Sequence, residues 1–307
     1  CDQNDSAPGC LFRTFGQEIN YVGRETSYAH QMSIGLQRQL ADLLSFEANF
    51  LYTGGRGEEI STQGNLTYNE ATGANYRFQD VARRATPQFG TVNYEYLARE
   101  SNYYGADFTL TKRYSDNWQL TASYTAAWFK DRNPKRAEWV VGSEGFIVPR
   151  PVPFTLARDL GDEYTSAATN QRGRATLNGI WDIGKGLQLS GIYFYGAGEA
   201  RQATAGGDFR NEGRSSEQRL RRDGSIIDRN AFQSDPIHRV DLRLQQRIPL
   251  GGSVTVDGMF EVFNLLNHDN FGSYQTNEAN RNFGNPEPNS NIAYLPRVMQ
   301  LGFRLAF

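Results

Sequence analysis

Hydrophobic and polar residues alternate singly along several stretches of this chain, most clearly at its end. Counting back from Phe307 in twos gives Leu305, Phe303, Leu301 and Met299, while the interleaved set is Ala306, Arg304, Gly302, Gln300 and Val298. Successive side chains of a β-strand point to opposite faces, so a period of two predicts a strand with one apolar face. Tyr28 to Leu40 sets His30, Met32, Ile34, Leu36 and Leu40 against Gln31, Ser33, Gly35, Gln37 and Gln39. Leu44 to Tyr52 returns with Leu44, Phe46, Ala48, Phe50 and Tyr52 against Ser45, Glu47 and Asn49.

The same grammar recurs in pairs. Tyr104, Ala106, Phe108 and Leu110 precede a turn at Ser115-Asp116-Asn117, and Trp118, Leu120, Ala122, Tyr124, Ala126 and Trp128 follow it. Ala175, Leu177, Gly179, Trp181 and Ile183 lead through Gly184-Lys185-Gly186 into Leu187, Leu189, Gly191, Tyr193 and Tyr195. Val240, Leu242, Leu244 and Ile248 lead through Gly251-Gly252 into Val254, Val256, Gly258, Phe260 and Val262. Short turns at 41–43, 115–117, 184–186 and 251–252 therefore alternate with long polar connections at roughly 54–102, 132–170, 201–237 and 268–295. Loops this long are uncommon in a compact soluble domain. Short turns at one end and long loops at the other are the asymmetry of a bacterial outer-membrane barrel.

A β-sandwich with long loops explains the alternation but not this one-sidedness. Nor does it explain why Tyr52, Tyr104, Trp128 and Tyr195 fall at the long-loop ends while Phe46, Trp118 and Phe307 fall nearer the short turns. Such placement predicts two aromatic girdles. A tilted nine-residue strand rises roughly 21 Å, close to the apolar band of such a barrel. The expected fold is all-β: an antiparallel up-and-down transmembrane β-barrel segment with short periplasmic turns and long extracellular loops. Residues 28–307 carry the strands and 1–27 form an irregular lead-in. The expected count is about nine, whereas single-chain bacterial barrels have even numbers and end on the short-turn side. The expectation is that these strands form the C-terminal portion of a larger barrel.

Composition changes the picture only a little. With 32 basic and 34 acidic residues the net charge is −2, which argues against a nucleic-acid partner. Mean hydropathy is −0.62 and no apolar run approaches the roughly 20 residues of a transmembrane helix, yet a barrel turns only alternate residues toward lipid. Cys1 and Cys10 are expected to close a small loop if the compartment is oxidising, with free thiols as the alternative. No signal peptide is legible.

Three segments carry a family resemblance. V-D-L-R-L-Q-Q-R-I-P-L at 240–250, F-E-V-F-N-L-L-N-H-D-N-F-G at 260–272 and R-V-M-Q-L-G-F-R-L-A-F at 297–307 resemble the closing strands of TonB-dependent receptors. The Oar-like group, which bears an N-terminal carboxypeptidase-regulatory-like domain, is the subgroup implied, and Y-A-H-Q-M-S-I-G-L-Q-R-Q-L is similar to its barrel. The resemblance implies a plugged barrel of about 22 strands in the outer membrane of a Gram-negative bacterium, taking up a scarce nutrient with TonB-coupled energy. It implies as partners outer-membrane lipid, the barrel assembly machinery, a plug domain and TonB complex engaged through an N-terminal part, and an unknown nutrient ligand. Met299, Leu301, Phe303, Leu305 and Phe307 match the terminal signal read by that machinery. No energy-coupling box or plug is legible here. The other reading is a small standalone barrel acting as adhesin or hydrolase.

Candidate chemistry is sparse. Charges on the polar faces, among them Glu47, Asp107, Arg174, Asp182, Arg243, Asp257 and Glu261, suit a plug or ligand contact, or a wall of cross-strand pairs. Arg210, Arg214, Arg219, Arg221 and Arg222 in the 201–237 loop suit capture of an anion, although nearby acids make a solvated loop the simpler expectation. The Asn-rich 268–295 loop offers amides for saccharide but also ordinary turn chemistry. His30, His238 and His268 are scattered, and only His238, beside Asp235 and Asp241, suggests a His–Asp pair. No catalytic residue, cofactor or metal site is expected.

Overall fold

The computed structural model describes residues 17–20, 26–132, 137–141, 147–151, 163–168, 170–212, 218–288 and 296–307. Nine long strands form one continuous antiparallel meander: β1 (Tyr28–Ala41), β2 (Leu44–Gln63), β3 (Val92–Ser115), β4 (Trp118–Arg132), β5 (Gly173–Gly184), β6 (Leu187–Gly196), β7 (Ile237–Gly251), β8 (Val254–Phe263) and β9 (Val298–Ala306). Each pairs with its sequence neighbours and no crossover occurs. Among the described residues the only helical turn is a single 3₁₀ turn, Val81–Arg83, and no helix is long and apolar enough to cross a membrane.

The turns explain the handedness of the short connections. Asp116 and Asn117 both have positive φ, 51° and 68°, the backbone of a type I′ hairpin whose twist matches that of the flanking strands. At the next short turn Gly184, Lys185 and Gly186 have φ of 109°, 55° and 79°, and at the last Gly251 and Gly252 have 112° and 59°. Glycine supplies most of these positions because a Cβ disfavours positive φ.

Register keeps the two faces unmixed. Phe46, Leu110, Ala122, Leu177, Tyr193 and Val240 form one rung of direct cross-strand partners from β2 to β7. One residue along, Glu47, Thr109, Ser123, Thr176, Phe194 and Arg239 form the adjacent rung on the other face. The apolar face is uncovered: Ile34 is 73% exposed, Trp181 53% and Phe303 85%. Such a surface in water would be an aggregation site, whereas hydrocarbon is the solvent it matches. Tyr104 and Trp128, direct partners, stand on the long-loop side of this face, and Trp118 with its partner Trp181 at the short-turn end, in line with the placement of Tyr104, Trp128 and Trp118 in the expected girdles.

Three boundaries differ from the sequence reading. β2 runs on to Gln63 and β3 begins at Val92, so the first long connection is 64–91 rather than 54–102. The extension passes through register shifts at Gly55/Glu58 and Glu58/Glu59, where alternation breaks. Gln17–Asn20, inside the stretch expected to be irregular, pairs in parallel with Val92 to Glu95 on β3. It takes up β3 backbone groups above Glu100, where pairing with β4 ends at Arg132. Tyr164–Ser166 serves β4 in the same way, antiparallel to Lys130 to Arg132. Backbone groups left by one strand are thus met by another. Cys1 and Cys10 lie outside the described residues.

Replacing Phe303 by Arg places a charge in the middle of the apolar face of β9. A loss of about 2–4 kcal/mol is expected from the cost of charge on a lipid-facing strand. Urea titration in lipid vesicles, with heat-modifiable migration as the folding readout, measures it. An unchanged midpoint would refute the lipid-facing assignment.

Candidate functional site

The site is built from two layers: the polar face of the sheet and the loops that stand on its long-loop end. On the polar face, facing strands place opposite charges in register. Arg243 on β7 opposes Glu261 on β8 with Nε to Oε1 at 3.0 Å, and Arg247 opposes Asp257 at 2.8 and 3.3 Å. Arg304 on β9 is in turn the register partner of Asp257. Arg239 pairs with Asp241 at 2.5 Å, and Asp241 also accepts the backbone N–H of Asn264 at 2.9 Å. The structure thus brings Arg243, Asp257 and Glu261 together as a ladder of cross-strand pairs. Elsewhere on this face Thr125 donates to Asp107 at 2.6 Å, and the Arg174 guanidinium lies 5.1 Å from the Phe194 ring centroid.

The loops brace one another. Arg229 donates to Asp131 at the end of β4 at 2.5 Å, with both side chains about 10% exposed. Arg219 reaches Glu163 at 2.5 Å and the carbonyl of Ile227 at 3.0 Å. Arg221 clasps Glu278 with two bonds of 2.6 and 2.7 Å. Arg210 is 2% exposed, and its carbonyl accepts the N–H of Asn75 in the 64–91 loop at 3.1 Å. Arg222 is exposed, Arg210 is buried, and Arg219 is a buried strut. Arg214 lies outside the described residues. The hydrogen bonds from Arg221 hold the Glu278 carboxyl below the ordinary carboxylate range and raise Arg221 in return.

Buried asparagines are the residues that sequence reasoning undervalued. Asn65 donates to the carbonyls of Thr86, Phe89 and Gly90 and accepts from the N–H and hydroxyl of Thr86, closing its loop from the centre. Asn270 is fully buried; its amide donates to the carbonyls of His238 and His268 and its oxygen accepts the His238 N–H at 2.8 Å. Asn264, at φ 49°, exchanges bonds with the backbone of His268. The N-L-L-N-H-D-N stretch is therefore a backbone clamp between β7 and the last loop. Its signal in the sequence was asparagine itself, the residue that tolerates left-handed backbone and bonds locally.

Among the described residues His238 pairs with no aspartate. Its Nδ1 faces the Tyr193 hydroxyl at 3.0 Å, and its ring packs 5.1 Å from both Tyr195 and His268. Asp235 instead contacts the Tyr274 hydroxyl at 3.2 Å, and Asp241 is held by Arg239. Among the described residues no cluster of three His, Cys, Asp or Glu suits a metal ion.

Comparison with known proteins gives one family match: the model described as an outer membrane beta barrel domain matches residues 4–225. No curated protein matches. Among solved structures, the outer membrane transporter YddB of Escherichia coli is similar at 11% identity and TM-score 0.48, over 95% of this chain and 34% of that one. The ferric-catecholate import receptor Fiu of E. coli gives 14% identity and 0.48, over 91% and 27%. P. aeruginosa FpvA bound to heterologous pyoverdines gives 10% and 0.49, over 91% and 27%. The chain thus spans about a third or less of the length of these structures.

Two outcomes follow for the loops. Arg229→Met strands the buried Asp131 carboxylate, and a loss of about 3–5 kcal/mol is expected, read as raised hydrogen exchange at the end of β4. The Glu278 clasp has a folded-state value below the unfolded one, so it stabilises at neutral pH and is lost as pH falls through the depressed value. Limited proteolysis of the 201–237 loop should accelerate on acidification below the ordinary carboxylate range, and Glu278→Gln should abolish that pH step.

Proposed function

The chain belongs to the outer membrane beta-barrel domain family, and from that premise we propose that it supplies wall and extracellular loops to a TonB-dependent receptor. It is a bacterial outer-membrane protein whose strands cross the bilayer, with the short turns on the periplasmic side and the long loops outside. The receptor takes up a scarce nutrient, and this chain contributes wall and loops to it rather than chemistry.

One observation carries the reading. Four long connections lie at one end of the sheet; charged struts tie the last three together, and bonds linking Asn75 to the backbone of Arg210 and to the side-chain amide of Asn211 join the first to them, making a braced platform. A platform of fixed geometry loses little entropy on ordering around a ligand, which favours selective capture over passive leakage. Beneath it the paired charges Arg243–Glu261 and Arg247–Asp257 line the polar face. A plug seated there could exchange partners with these pairs and be released when pulled. The resemblance of residues 240–250, 260–272 and 297–307 to closing strands of TonB-dependent receptors supports the same reading, with the Oar-like group as the subgroup. Exposed Arg222 is our candidate for first contact with an anionic nutrient, whereas Arg210 and Arg219 are buried.

Growth on limiting nutrients tests this in the native bacterium. Deleting the gene is expected to abolish growth on at least one scarce nutrient supplied at low concentration, and deleting the TonB complex should reproduce that loss. Uptake that persists without the energy complex would refute the proposal and favour a passive pore or an adhesin.

A further inference from the structure

The lipid-facing side of the sheet carries a groove that its neighbours lack. Gly179 on β5 and Gly191 on β6 are direct cross-strand partners, so two adjacent positions on the apolar face have no side chain. Leu120 continues their rung on β4 and Leu242 on β7. The flanking rungs stay large: Trp118, Trp181 and Leu189 on the short-turn side, Leu177 and Tyr193 on the other. The result is a cleft of about 610 Å³ running across the strands, its lining almost wholly apolar. That volume falls within the range of small-molecule sites, about 300–1,000 Å³.

One strand beyond Leu120 the rung reaches a cation. Lys112 on β3 is the register partner of Leu120, three residues from the short-turn end of its strand, whereas Leu242 stands nine residues from the short-turn end of β7. The Lys112 ammonium lies 4.0 Å from the Trp118 ring centroid. It donates to the carbonyls of Arg113, Ser115 and Trp118 and to the Ser115 hydroxyl. All these acceptors are neutral; Asp116 accepts from the same hydroxyl at 3.1 Å rather than from the ammonium. Full positive charge is thus held at the periplasmic girdle, at headgroup depth. Four strand spacings of about 4.8 Å carry the rung about 19 Å from Lys112 to Leu242. With strands tilted about 45° it climbs about 13 Å, roughly half of an apolar band about 25 Å tall.

We propose that this groove is a binding site for an anionic glycerophospholipid of the periplasmic leaflet. One acyl chain lies over Gly179 and Gly191, and the phosphate sits against Lys112. Charge, depth and direction agree: the cation meets the headgroup and the groove rises by one leaflet from it. The site rests only on the membrane placement of the strands, not on the transport reading.

The full-length gene product, purified in mild detergent, tests it by native mass spectrometry after incubation with phosphatidylglycerol or phosphatidylcholine. Wild type is expected to retain one phosphatidylglycerol at least tenfold more often than phosphatidylcholine. Gly191→Val puts a side chain onto the groove floor, where a Cβ meets the mobile end of Leu242 at 2.6 Å, and should reduce retention at least tenfold. Gly258→Val, on the same face where an added Cβ meets nothing within 4 Å, should retain lipid as wild type does. Lys112→Gln should lose the headgroup preference while keeping a retained lipid. If Gly191→Val fails the heat-modifiability check for folding, quenching of tryptophan fluorescence by acyl-brominated phosphatidylglycerol in wild type and Lys112→Gln decides instead. Equal retention in Gly191→Val, equal quenching with and without Lys112, no retained lipid, or a dimer covering the groove would each overturn the proposal.

Discussion

A strand in hydrocarbon has no water to satisfy its N–H and C=O groups, so every rung must be paired by protein. The rest of this structure depends on that constraint. It forces neighbouring strands into strict antiparallel register, and the register then sorts side chains by parity into a lipid face and a polar face. Phe46 to Val240 and Glu47 to Arg239 differ by one residue at each strand and yet belong to different solvents. The same demand explains the short accessory strands. Where β4 stops pairing with β3, Gln17–Asn20 takes over, and where β5 stops, Tyr164–Ser166 does.

Within the bilayer that sorting made the fold legible from residues alone. The alternation from Trp118 to Trp128 or from Val254 to Val262 needs no partner to be read, because the solvent on each face dictates it. Above the bilayer both faces meet water, loops or each other, and parity loses its meaning. Gly54-Gly55-Arg56-Gly57-Glu58 reads as a loop, yet it is the middle of a twenty-residue strand held by bulges against β3. The extension was illegible for that physical reason.

The candidate site was legible in composition but not in connection. Arginines at 210–229 were visible, while their partners Asp131, Glu163 and Glu278 lie 98, 56 and 57 residues away from the arginines they bind. No local pattern encodes such a match. The same holds for His238: two aspartates lie near it in sequence, yet strand pairing points its ring to Tyr193 and Tyr195 on the apolar side. Only the cross-strand charges followed from alternation, since parity alone put Arg243 and Glu261 on one face.

The strut between Arg229 and Asp131 also bears on how the molecule assembles. Hairpins form from local contacts and are fast, whereas a contact spanning 98 residues must wait for loop closure. Asp131 reaches Arg229 only if β4 and the strands after it have settled in the correct register, because a slip by one residue would turn its carboxylate to the opposite side. The strut is therefore a check on register: it closes only over a sheet whose strands are correctly paired.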